Sequence, residues 1–383
     1  MTQLKTAVAN LRQGGSVLAE AVMRGNLKTL ATMLGPAYRG FILQRAKREE
    51  STPIEVGYTS RFDWHYRRNF PEMAKLYEAA KSGQWNASKD VDWSIDVDPM
   101  DTDKALMPFD YFPLFDMPGF TALSERERAT QLHGLMAWML SQFLHGEQGA
   151  LFAAAQVTEC IDGLDGKLFG STQVVDEGRH VEVFHRYLTE KLQKWYPVND
   201  NLYVILDALM SDSRWDIKFL GMQILVEGLA LGAFGTIRTG TKEPLIKEIL
   251  KYVITDEARH VHYGVLALRD FYLNQLSEHE RREREDWTCE IVALMRNRFL
   301  AHEFYEEYWA HAMSRAEWDR IANESKIMDV FRVTMFKRII PNLKRIGLLS
   351  DRVRPHYEKM GLLRFEVGKS APELTASDLL SDA

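Results

Sequence analysis

The sequence predicts an all-α fold: a four-helix bundle with additional N- and C-terminal helices and a loop-rich wrapping region. Three observations predict it. Strand-like alternation of apolar and polar residues is scarce anywhere in the 383 residues. The middle of the chain carries apolar runs too long for strands, such as SERERATQLHGLMAWMLSQFLHGEQGALFAAAQVTECI from Ser124 to Ile161. The signature Asp-Glu-x-Arg-His-Val also occurs twice, in VVDEGRHVEVF and ITDEARHVHYG, 80 residues apart.

Taken in chain order, residues 1–50 read as amphipathic helix, interrupted at Gly14-Gly15 and around Gly35-Pro36, with core packing as the expected use of the apolar face. Residues 51–122 are rich in Pro, Gly, Asp and aromatics and are expected to wrap the bundle, with one helix embedded within about 68–83. There, Trp85 and Trp93 are expected to anchor the loops. MPFDYFPLFDMPGF is expected to wrap the bundle or to line a substrate channel. Ser124 and Glu127 form a capping box that opens the bundle. Two or three more long helices are expected over 277–347, and the last ~15 residues look frayed. The resulting organisation is 1–123 for the N-terminal helices and wrapping segment, 124–275 for the bundle and 276–383 for the C-terminal helices, in one compact domain.

Composition narrows the function classes. Charged residues make up 27%, hydrophobic ones 46%, and the formal net charge is −6, so a nucleic-acid partner is not expected. Two cysteines, Cys160 and Cys289, argue against a disulfide framework and for a reducing, cytoplasmic setting. No h-region marks the N-terminus, and no stretch approaching ~20 apolar residues predicts a transmembrane span. A homodimer would give the tail helices a surface to pack on.

The doubled signature carries the chemistry. On a helix, Glu177 and His180 share one face, and so do Glu257 and His260. One Glu-x-x-His pair arises by chance on many solvated helices; two copies with matched partners do not. Glu147 stands 30 residues before Glu177, and Glu227 stands 30 before Glu257, both in apolar helix where a lone charge is costly. The midpoints, 162 and 242, fall in the helix-breaking stretches IDGLDGKLFG and RTGTKEP. Each single Glu should therefore lie level with its own Glu-x-x-His across a helical hairpin. Glu159 competes with Glu147, but it sits about 18 Å further along the helix, near the turn.

Four inward carboxylates and two histidines form the ligand set of a di-iron or di-manganese carboxylate site. Hard oxygen and imidazole ligands suit iron or manganese, and no thiolate is offered. Two iron ions, or an Fe/Mn pair, would balance the four carboxylates. Asp176 is expected to hold His260, and Asp256 to hold His180, with Arg179 and Arg259 offsetting their charge. Phe143, Ala150, Leu151, Phe184, Ala230, Leu231 and Phe234 are candidates for a dry pocket, and Gln223 for a pocket contact or a structural hydrogen bond. His145, His185 and His262 are read as ordinary surface or core histidines.

These residues resemble the ferritin-like di-iron carboxylate oxygenases. FLHGEQGALFAAA together with TQVVDEGRH is most similar to the hydroxylase α-subunits of bacterial multicomponent monooxygenases, over about 124–270. The resemblance implies an O2-activating centre, with Glu147, Glu177 and His180 on one iron and Glu227, Glu257 and His260 on the other. It also implies electrons from a reductase or ferredoxin and a small-molecule or carrier-bound organic substrate that is hydroxylated, epoxidised or N-oxygenated. A desaturase or C–C bond oxidase is the alternative, and an iron-storing ferroxidase a lesser one. The chain departs from relatives in the superfamily at three positions. Leu231 stands where the α-subunits carry a pocket threonine. Phe184 stands where the small subunit of ribonucleotide reductase has its radical tyrosine, and Val253 where arylamine N-oxygenases add a histidine ligand.

Overall fold

The structure is a computed structural model; it describes residues 15, 22, 25–104 and 118–380, the side chains of 118, 327 and 328 excepted. Among the described residues there are helices and no strands. In chain order the main helices are α1 (Leu27–Ala37), α2 (Pro71–Ser82), α3 (Glu125–Cys160), α4 (Leu164–Arg186), α5 (Asp200–Ser211), α6 (Trp215–Gly240), α7 (Pro244–Asp270) and α8 (Glu278–Arg298). The bundle consists of two hairpins, α3 with α4 and α6 with α7; α4 also packs on α7 and α3 on α6.

Local chemistry sets the ends of these helices. Ser124 Oγ accepts from Glu127 N while the Glu127 carboxylate accepts from Ser124 N, so the expected capping box opens α3. The first hairpin turns over residues 161–163, with Gly163 at φ 89°. The second turns over 241–243. There Glu243 caps α7 by accepting from Leu245 N and Ile246 N, and Pro244 takes the first helical position. Both turns coincide with the sequence midpoints, which makes each hairpin mirror-symmetric about its loop. Midway along α6, a π-helical turn over Leu220–Val226 leads straight into Glu227.

Elsewhere the fold departs from the sequence reading. Gly35-Pro36 does not interrupt α1: burial of Met33, Pro36 and Ala37, with α5 packed alongside, outweighs the one hydrogen bond that proline forfeits. The chain breaks instead at Gln44, in the left-handed region at φ 50°. The tail is not two or three long helices. After α8 the chain turns at Ala301, φ 48°, and continues as short helices, including His302–Tyr308, Arg315–Glu324 and Lys326–Met335. The end read as frayed is ordered as far as Leu380: a short helix, Ala376–Leu380, packs on α7, and Arg238 and Arg338 donate to the carbonyls of Leu380 and Asp378. One helix, Trp215–Gly240, does reach membrane-spanning length and apolarity, but 94% of its apolar 18-residue window is buried inside the protein. The wrapping segment is tied down as expected: Trp85 is buried, and Trp93 Nε1 donates to Ala87 O at 2.7 Å beneath the Arg186 guanidinium. Most of MPFDYFPLFDMPGF lies outside the described residues.

Candidate metal centre

The four bundle helices each send acidic side chains to one level of the core. Glu147 comes from α3, Glu177 and His180 from α4, Glu227 from α6, and Glu257 and His260 from α7. None of the six is more than 4% exposed. His180 Nδ1 lies 3.2 Å from Glu147, 3.4 Å from Glu177 and 3.2 Å from Glu257. His260 Nδ1 lies 3.0 Å from Glu177 and 3.7 Å from Glu257. The ligand atoms fall into two overlapping groups, Glu147/Glu177/His180/Glu257 and Glu177/Glu227/His260. Glu177 belongs to both, and Glu257 faces both histidines. These two carboxylates are therefore placed to be shared.

The outer face of each imidazole is also fixed. His180 Nε2 is 3.2 Å from Asp256, and His260 Nε2 is 3.2 Å from Asp176. Each aspartate thus crosses to the histidine of the other hairpin, the pairing expected from the sequence. Arg179 donates to Asp176 and, at 3.4 Å, to Asp256; Arg259 donates to Asp256. Trp85 Nε1 donates to Asp256 at 2.8 Å and Gln84 Nε2 to Asp176 at 3.2 Å, so the segment after α2 closes this network from outside.

The electrostatics are those of a charge cluster out of water. Burial pushes the Glu147 carboxyl well above the usual range, and the neighbouring Glu257 adds to it. Burial and the charges of Glu257 and Glu177 do the same to Glu227. Burial also opposes ionisation of Glu177, but His260 and His180 outweigh it and hold that carboxyl below the usual range. Burial disfavours charged imidazoles, yet Asp256 and the glutamates raise His180 well above its ordinary value, and Glu177 and Asp176 raise His260.

The residues fit two hard cations. Glu177 Oε2, Glu227 Oε2, both carboxylate oxygens of Glu257 and His260 Nδ1 are buried with no hydrogen-bond partner among the described residues. Orphaned buried acceptors of this kind are rare in proteins and call for a ligand. Four carboxylates with two imidazoles, projecting inward from a four-helix bundle as one Glu and one Glu-x-x-His per hairpin, are the arrangement of ferritin-like di-metal carboxylate proteins. The buried cluster is able to hold a di-metal site.

Beside the glutamates lies a cavity of about 20 Å³ lined by Phe143, Glu147, Ala150, Glu227, Ala230, Glu257 and Arg298, among others. Phe184 and Phe234 pack behind Phe143, at 6.2 and 4.8 Å between ring centres. Leu151 and Leu231 are not among the residues that line the cavity. Gln223 also lies off the cavity, donating at 3.4 Å to Gln173. Glu159 is exposed and accepts from Tyr58 and Ser60, away from the centre. His145 bonds Tyr196 O at 2.9 Å.

Sequence reasoning missed three contributors. Gln173 donates to Glu177 at 3.2 Å and to Glu227 at 2.8 Å; its place one turn before Glu177 is the signal that points to it. Gln84 and Arg298 reach the site from outside the doubled motif, and nothing in their local sequence announces them.

No protein-family model matches the chain, and no curated protein matches it. Similar solved structures include an R2-like ligand-binding oxidase with an aerobically reconstituted Mn/Fe cofactor, 18% identical over 75% of this chain and 94% of that one, TM-score 0.43. Another is an R2-like ligand-binding oxidase with an aerobically reconstituted metal cofactor after photoconversion, 19% identical over 76% and 95%, TM-score 0.44. The fold assignment rests on the helix arrangement and the six side chains, not on these likenesses.

Proposed function

We propose that this chain is an O2-activating oxidoreductase that uses two iron ions, or one iron and one manganese, to oxygenate an organic substrate by hydroxylation, epoxidation or N-oxygenation. A reductase or ferredoxin would supply electrons, in the cytoplasm. The observation that carries the reading is the pair of overlapping ligand groups, with Glu177 common to both and Glu257 facing both histidines. A redox-active metal pair bound there supplies the reduction and activation of O2.

The rest is done by the chain. Glu147 and Glu227 bind at the cavity side, where an incoming molecule meets the centre. Asp256 and Asp176 keep the Nε2 protons of His180 and His260 and so present Nδ1 inward. Gln173 holds one oxygen each of Glu177 and Glu227, leaving their second oxygens free to ligate. Phe143, Phe184 and Phe234 keep bulk water from the oxidising site. The test is O2 uptake on mixing ferrous-loaded protein with aerated buffer. The reading expects uptake coupled to iron oxidation, with a transient visible absorption. Loaded protein that leaves O2 untouched would sink the oxygenase reading while sparing the metal site.

A further inference from the structure

The C-terminal helices enclose another cavity, which shares no lining residue with the one at the glutamates. It is far larger, about 560 Å³. Arg296 and Asn297 reach it from α8, Asn323 from the helix Arg315–Glu324, Arg332 from Lys326–Met335 and Lys359 from Arg354–Lys359. Arg296 stands two residues before Arg298, about 200° around the helix, so the two arginines leave α8 on nearly opposite sides. Arg332 is 5% exposed, and its only hydrogen bonds run to Asn323: Nη1 donates to Oδ1 at 3.1 Å and Nη2 to the carbonyl oxygen at 3.2 Å. A guanidinium has about five donors, so most of this one is left for another acceptor. Burial lowers the Arg332 pKa, the charge of Arg296 lowers it further, and Asp329 only partly offsets them. Among the described residues no carboxylate comes within ion-pair distance of Arg296, Arg332 or Lys359, whereas Arg320, Arg352 and Arg354 nearby in sequence pair with Glu324, Glu285 and Glu366.

A cation without a carboxylate says little by itself. Lys218 also lacks one, but it is sealed in the core, where Gln156 Oε1 and Met210 O accept from it. Here two like charges border one roomy cleft. From this we infer that the cleft binds an organic phosphate of about nucleotide size, held by Arg296 and Arg332. A phosphate monoester brings a charge of about −2 and three acceptor oxygens, enough for both guanidiniums, where a carboxylate's single charge answers one. Arginine forks suit phosphate oxygens in pairs. The volume falls in the range of about 300–1,000 Å³ usual for small-molecule sites and exceeds what a bare anion fills. Val333, Phe336 and Leu362 give the organic part an apolar wall, and Asn297 offers it a side-chain amide. The exposed carboxylates of Asp329 and Glu358 line the same cleft and oppose the phosphate, so the arginines work against a known penalty. The inference does not rest on the metal-centre reading above.

The test is calorimetric titration of the full-length protein. AMP and ribose 5-phosphate are the probes. Adenosine supplies a body without phosphate, inorganic phosphate an anion without a body, and citrate an organic anion without phosphate. Saturable binding of AMP or ribose 5-phosphate is expected, tighter than that of inorganic phosphate or citrate, with no binding of adenosine. Arg332→Gln should weaken it about ten- to a hundred-fold. Arg296→Gln, at an exposed position, should weaken it about two- to five-fold, and Asp329→Asn should tighten it by a similar factor. Those two variants move binding in opposite directions and decide the matter even if Arg332→Gln does not fold. Binding should be the same after a chelator has stripped the protein of metal. Binding lost on stripping would put the phosphate on the metal pair and overturn the assignment. Failure of both phosphate probes to bind, citrate or inorganic phosphate binding as tightly as they do, or affinities unmoved in Arg296→Gln and Asp329→Asn also overturns it.

Discussion

Each ligand histidine uses its two ring nitrogens differently, and that division of labour comes from a single residue. Asp256 takes His180 Nε2 and Asp176 takes His260 Nε2, which leaves both Nδ1 atoms facing the glutamates. Replacing Asp256 by Asn keeps the size and removes the charge that fixes the tautomer. Competition against a chelator should show metal affinity lower by about ten- to a hundred-fold, with a far-ultraviolet spectrum like wild type. Unchanged affinity would mean that the histidine is oriented by packing alone. The crossed aspartates could be read from sequence, because Asp precedes Glu in both motif copies and a helix turns about 100° per residue. Gln173 is marked only by its place one turn before Glu177, and Arg298 has no such mark. Arg298 lies 41 residues after Glu257 in a helix rich in charges, where one more arginine reads as solvated surface.

At the scale of elements, the spacing of the ligands fixed the hairpins because turn and ligand levels obey one symmetry. Equal distances from a three-residue turn put Glu147 beside Glu177 and Glu227 beside Glu257. The π-helical turn over Leu220–Val226 escaped notice, since nothing in LGMQILV distinguishes it from ordinary helix. Its wider bonding, with Glu227 N–H donating to the Met222 carbonyl, interrupts the regular α-helix just ahead of Glu227. The tail was misread for a related reason: hydrophobic periodicity runs on through Phe299–Ala301, and a left-handed alanine leaves no mark in composition. The tail nevertheless fits tightly. A Cβ on Gly232 of α6 would come within 2.5 Å of the Met335 carbonyl oxygen, a backbone atom that cannot swing aside. Gly232→Ala should therefore lower the urea midpoint by an equivalent of about 1–3 kcal/mol. An unaltered midpoint would show that the segment around Met335 is free to move off the bundle.

For the whole molecule, the account is that two half-sites from two similar hairpins close on one metal pair, sealed by the tryptophan-bearing loop on one side and by α8 on the other. Its parts are interdependent. One ligand group takes Glu257 from the second hairpin and the other takes Glu177 from the first, so neither ion has a complete site without the other hairpin. The class of fold and the six ligands were readable because hydrophobic period and spacing carry that information. Which loops and tail segments cover the centre depends on packing between residues distant in sequence, and that is why the cavity wall and its arginine emerged only in three dimensions. The most direct measurement is metal content per chain after anaerobic ferrous loading and desalting, in wild type, Glu177→Ala and Glu257→Ala. The account predicts about two ions in wild type and loss of most of both in each variant, since each substitution removes a shared carboxylate. Wild-type protein without metal, or two ions retained in both variants, would contradict it.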